Sequence, residues 1–189
     1  LDRPDLALCI VDATNLQRNL FLAYQIGQLG LPMVLALNYW DSAKKRHIEV
    51  DVEALKARLG IPIVPISASR AEGVAELKEA MAQALEDSPL LLTPIWPETV
   101  SEAVEEAREV LPEACDERMD DASIMRGIFE GDEKIFIRGG ASGDEARDAL
   151  ESSKKTLFKG GLNPANAEAV LLYRHITKIV EPCINTSQS

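Results

Sequence analysis

Three short apolar runs, each ending on a polar cluster, constrain this 189-residue chain more than anything else in it. Leu6 to Val11 ends at Asp12, Met33 to Leu37 ends at Asn38, and Ile61 to Ile66 ends at Ser67. Runs of this length without polar alternation suit strands covered on both faces. Helical patterns separate them. Thr14-Asn15-Leu16-Gln17 has the form of a capping box and predicts a helix carrying Leu16, Leu20 and Ala23, stopped near Gly30. Asp51 predicts the cap of a helix with Leu55 and Leu59, closed by Gly60. Val74, Leu77, Met81, Ala84 and Leu85 follow helical spacing. Strands alternating with helices imply a parallel sheet, and such sheets bind ligands beyond the carboxyl ends of their strands. Those ends carry Asp12, Asn38 to Asp41, and Ser67 to Ser69.

The second half predicts helices only. Thr99-Val100-Ser101-Glu102 and Ser142-Gly143-Asp144-Glu145 read as helix starts, Ile124 to Phe129 as a helix stopped by Gly131, and Asn163-Pro164 as the start of the last helix. Ala169 to Ile176 is apolar on more than one face, as for a helix packed between neighbours. Pro89, Pro94 and Pro97 interrupt the chain between the halves. The expected organisation is therefore an α/β domain over 1–88, a linker over 89–97, a helical domain over 98–181, and a disordered tail over 182–189.

Charge narrows the partners. The chain holds 20 basic and 31 acidic residues, a net charge of −11, and the excess is larger after residue 90. That disfavours nucleic acid or an anionic membrane surface as the main partner. The longest uncharged stretch of the first half, Asn19 to Trp40, is interrupted by Gln25, Gln28, Gly30, Pro32 and Asn38, so no bilayer span is expected. Leu1 is not followed by a basic-then-apolar leader, so no signal peptide is expected. Cys9, Cys115 and Cys183 have no metal-ligand spacing, so neither a zinc site nor a disulfide framework is expected.

The chemistry concentrates at two strand ends, Asn38-Tyr39-Trp40-Asp41 and Ser67-Ala68-Ser69. An N-x-x-D turn with a strand-ending S-A some thirty residues on is the pair of loops that reads guanine in GTP-binding proteins. Guanine presents two donors on adjacent atoms, N1–H and N2–H2. The Asp41 carboxylate can accept both, and charge-assisted bidentate bonds are strong. Adenine presents an acceptor there and leaves the carboxylate unpaired, which favours discrimination. Asn38 is expected to pin the loop, the Ala68 N–H to donate to guanine O6, and Ser67 and Ser69 to hold the second loop. His47, His175 and the acidic group Asp116, Glu117, Asp120 and Asp121 are expected to be packing or solvated residues rather than ligands.

Val11-Asp12-Ala13-Thr14-Asn15-Leu16-Gln17-Arg18-Asn19-Leu20, Leu29 to Asn38, Ile48 to Leu59 and Ile61 to Ser69 resemble the FeoB family, the bacterial ferrous iron transport protein B. The resemblance is strong over about the first ninety residues. It extends more weakly to Ala169 to Ile176, which resembles the helix that ends the family's cytosolic region. It implies a partial Ras-like G domain of three parallel strands with flanking helices, followed by an all-helical regulatory domain. It implies GTP or GDP as ligand, with Mg2+ in the intact parent, and a membrane permease as partner on the cytoplasmic face of the bacterial inner membrane. The piece represented by this chain is expected to be soluble.

Several features depart from that family. The 189 residues contain no G-x-x-x-x-G-K-[ST] loop and no D-x-x-G switch, so GTP hydrolysis by the chain alone is not expected. Tyr39 stands where family members commonly have Met, and by the resemblance it packs against ribose or base; Ser69 stands where many small GTPases have Lys. In a Ras-like sheet, Leu6 to Val11 becomes an apolar exposed edge here, open to self-association. The competing expectation is a non-catalytic docking module that binds no nucleotide.

Overall fold

A computed structural model describes residues 4–186. The chain divides into two compact units, one of residues 1–94 with 172–189, the other of 95–171.

The first unit is built on a parallel sheet of β1 (Ala7–Asp12), β2 (Met33–Asn38) and β4 (Ile63–Pro65), in the order β1-β2-β4. Between them run α1 (Leu16–Gly27), α2 (Trp40–Lys45), β3 (Ile48–Val50) and α3 (Val52–Leu59), and α4 (Val74–Asp87) follows. β2 is central, which explains its uninterrupted apolar sequence. Met33, Leu35 and Leu37 point into one core with Leu16, Leu20, Leu55 and Leu59. Val34 and Ala36 point the other way, against Leu77 and Ala84 of α4.

β1 is an edge strand. Cys9 and Val11 are buried, whereas Leu8 is 37% and Ile10 62% exposed. A groove of about 300 Å3 runs between this edge and α1, lined by Leu8, Ile10, Arg18, Leu22 and Ile26 among others.

The second unit holds α5 (Glu98–Val110), α6 (Glu113–Asp116), α7 (Asp121–Glu130), α8 (Glu133–Gly139) and α9 (Gly143–Lys159). Its core gathers Val104, Ile124, Ile128, Phe136, Leu150 and Leu157. Ser142 caps α9 in a reciprocal capping box with Glu145, as its sequence predicts. Arg108 ties Asp116 and Asp121 together at 2.7 Å each, and Asp120 caps α7 by accepting from the Ser123 N–H. The acidic group thus serves local structure.

The structure departs from the sequence expectations at several places. Neither Thr14 nor Thr99 forms a capping box. Asp12 Oδ1 instead accepts from the Thr14 N–H and Oγ at 2.8 Å each, an Asx turn that competes with the cap. The helix with Thr99 begins after Pro97, with no side-chain cap. Asn163 caps a turn, accepting from the Ala165 N–H, and α10 (Ala167–Val180) starts later.

The tail expectation also changes. After a 3-10 turn over Glu181–Cys183, β5 (Ile184–Thr186) pairs antiparallel with β3. The pairing satisfies backbone groups of two short strands that have little apolar signal of their own. Residues 187–189 of the expected tail lie outside the described residues. α10 is shared between the units: Ala167 and Leu171 belong to the second core, whereas Leu172, Ile176, Ile179 and Val180 belong to the first. Its apolar character on several faces reflects this.

Candidate functional site

The two predicted loops meet at the carboxyl end of the sheet. Parallel pairing sets Asp12 beside Asn38. The Ala13 N–H donates to the Asn38 carbonyl at 2.9 Å, the Ile66 N–H to the Leu37 carbonyl at 2.8 Å, and the Trp40 N–H to the Ile66 carbonyl at 3.2 Å. The backbone on both sides of Tyr39 is therefore held. Tyr39 itself adopts φ 58°, a left-handed conformation uncommon for a non-glycine residue, and its side chain is exposed.

Side chains join the loops directly. Ser67 Oγ donates to Asp41 Oδ1 at 3.0 Å, and the Ala68 N–H donates to Asn38 Oδ1 at 3.2 Å. Ser67 is buried, so its hydroxyl has a fixed partner rather than water. The second loop is closed by reciprocal backbone bonds between Ser67 and Glu72 at 3.0 and 3.2 Å. Gly73 follows at φ 77°, where a Cβ would lie 2.3 Å from the Pro65 carbonyl oxygen. Only glycine fits that approach.

Asp41 is the carboxylate of the site. Its pKa lies below the ordinary value, chiefly because Ser67 donates to it; Lys45, the Ser42 backbone and Arg70 act in the same direction. Lys45 Nζ stands 3.8 Å from Asp41 Oδ2. A carboxylate offers about four acceptor positions, so two remain for a ligand's donors.

The predicted residues thus come together unevenly. Asn38, Asp41, Ser67 and Ala68 form one bonded cluster. Ser69 lies exposed in the adjoining 3-10 turn, Ala68–Arg70. The expected free donor at Ala68 is the exception, since its N–H is already engaged by Asn38. Lys45 and Gly73 were not singled out by sequence pattern. The lysine's signal was its i,i+4 spacing from Asp41 on a helix, visible only once α2 was known to start at Trp40.

His175 is bonded to Tyr24 of α1. Its Nε2 lies 2.9 Å from the Tyr24 hydroxyl, ring edge to ring face, and burial holds its pKa low, with Lys178 adding to the effect. Among the described residues no group of three or more His, Cys, Asp or Glu is arranged to hold a metal ion. Nor is any helix among them long and apolar enough to cross a membrane.

Sheet, helices and strand-end loops define a Ras-like G domain accompanied by a helical unit. The crystal structure of mGMPPNP-bound NFeoB from S. thermophilus superposes with a TM-score of 0.76 over 99% of this chain and 70% of its own, at 24% identity, a likeness of fold. A GMPPNP-bound mutant of the same protein gives 0.76 over 95% of this chain and 70% of its own at 26% identity. Residues 1–81 match the FeoB_N family, ferrous iron transport protein B. The Fe(2+) transporters FeoB of Salmonella typhimurium and Escherichia coli K12 are 47% and 46% identical over 77 residues, 41% of this chain. Over residues 1–81, within its first unit, the chain is similar to the ferrous iron transport protein B family. The matched segment spans 10% of those transporters' length.

Proposed function

We propose that the loops at 38–41 and 67–69 read the guanine base of GTP or GDP, within the cytosolic part of a GTP-driven ferrous iron transporter. Asp41 accepts from guanine N1–H and N2–H2. Asn38, held by the Ala68 N–H, fixes the separation of the two loops, and Ser67 aims the carboxylate. The observation that carries this reading is the Ser67–Asp41 bond, which joins two loops 26 residues apart in sequence around one open carboxylate. The nucleotide-bound state of the S. thermophilus neighbours supports it.

No phosphate-cradling motif lies among these residues, so affinity rests on base contacts and is weak. In the whole transporter, Mg2+ would accompany the phosphates. The helical unit would pass the nucleotide state to the membrane permease, with both units on the cytoplasmic face.

Titration with GDP, and with ADP as control, tests the reading through the fluorescence of Trp40 in a Trp96→Phe background. Saturation by GDP alone, lost in Asp41→Ala, supports it. The second reading, a docking module without nucleotide, is favoured by the engagement of the Ala68 N–H with Asn38, and a flat GDP response would establish it.

We also propose that the open edge of β1 pairs with a second copy of the chain. Its support is the exposure of Leu8 and Ile10 on an edge strand.

A further inference from the structure

The proposed base-reading carboxylate has a cation close beside it. Lys45 Nζ stands 3.8 Å from Asp41 Oδ2, one helical turn further along α2, with side-chain exposures of 75% and 18%. Two other nearby cations have contacts of their own. Lys44 Nζ lies 5.7 Å over the Trp40 ring, and Arg70 Nη1 pairs with Glu72 Oε1 at 3.7 Å. Asp41 Oδ1 carries the Ser67 hydroxyl from the buried side. The oxygen not held by Ser67, Oδ2, which a bidentate ligand must share, is the one beside Lys45.

We infer that Lys45 is a built-in competitor for the guanine-reading carboxylate, a counter-ion that the base must displace in order to bind. The inference rests on the proposed guanine reading and adds the element that tunes its affinity. Exchange of an ammonium for two neutral N–H donors leaves Asp41 with partners before and after binding. The penalty on binding is the strength of an exposed i,i+4 ion pair, about a twofold change in affinity at low salt. The usual effect of removing a lysine near an anionic nucleotide has the opposite sign. That makes the direction of the effect diagnostic.

The test is a GDP titration of the Trp96→Phe chain, followed at Trp40, beside Lys45→Gln and the charge-matched Arg46→Gln. Lys45→Gln is expected to bind GDP about twofold tighter, and Arg46→Gln equally or more weakly. At about 0.5 M KCl, where screening lengths shrink to a few ångströms, the gain should vanish. Lys45→Gln binding no tighter than Arg46→Gln overturns the inference and leaves the base reading intact. Absence of GDP saturation in all three proteins overturns the base reading, and this inference with it.

Discussion

Ser67 Oγ donates to Asp41 Oδ1 at 3.0 Å, and this bond makes one site of two loops. Ser67 is buried just after β4, before the 3-10 turn, whereas Asp41 lies in the first turn of α2. A hydrogen bond to a charged acceptor is worth about 1.5–3 kcal/mol. Ser67→Ala should therefore weaken GDP binding by roughly tenfold or more, while ADP binding stays negligible. The Asp41 carboxyl should titrate closer to its ordinary value in that variant, which carboxyl-resolved NMR would read. An unchanged GDP affinity would show that the bond is structural only.

Gly73 sets the geometry of the same loop from below. Its φ of 77° and the approach to the Pro65 carbonyl leave no room for a methyl group. Gly73→Ala should destabilise the first unit by about 2 kcal/mol, through strain and displaced backbone. Chemical denaturation gives the number, and a loss below about 0.5 kcal/mol would mean that the turn rearranges freely.

The α9 cap predicts an acid response. Ser142 holds the Glu145 carboxyl below its ordinary value of 4.5, and Ser123 does the same for Asp120 below 3.8. Each folded pKa lies below the unfolded one. The stabilisation is therefore complete above the unfolded value and is lost as pH falls through the depressed folded value. Ser142→Ala removes the Oγ that accepts from the Glu145 N–H, at a cost of about 1 kcal/mol at neutral pH, while the residue 142 backbone N–H can still donate to Glu145. Its acid-unfolding midpoint, followed by circular dichroism, should move to higher pH.

His175 gives the opposite residue type with the same slope. Burial beside Tyr24 holds it neutral and lowers its folded pKa below 6.5. The unfolded chain then binds the extra proton as pH falls below about 6.5, so stability declines from there toward the folded pKa. Replacing His175 with Gln should flatten the denaturation midpoint between pH 7 and 5, at about the cost of one buried hydrogen bond, roughly 1 kcal/mol.

The edge of β1 makes a hydrodynamic prediction. Ile10, 62% exposed, lies on the open strand. If the edge pairs with a second copy, sedimentation should show a concentration-dependent dimer that Ile10→Lys abolishes. A single monomeric species at high concentration would refute the pairing.

The sheet was legible because strand and helix periods differ, and because a strand buried on both faces shows an unbroken apolar run. Met33 to Leu37 is such a run, and β2 is the central strand. The candidate site was legible as residue types, since Asn38, Asp41 and Ser67 are the polar residues that follow apolar strands. β3 and β5 were not legible. Three residues carry too little pattern, and each exists because the other supplies its hydrogen bonds. Likewise, Thr14 was read as a cap because sequence cannot say whether Asp12 or the helix wins its donors.

The sequence by itself determined the alternation of strands and helices, the polar strand ends and the family resemblance of the first unit. These depend on neighbours along the chain and on residue chemistry. Tertiary structure alone decided which donors the loops consume internally. It paired Ala68 with Asn38, Ser67 with Asp41 and Lys45 with the outer carboxylate oxygen. It also divided α10 between two cores. Hydrogen bonds and ion pairs are settled at distances of about 3–4 Å, and only the folded chain brings those groups that close.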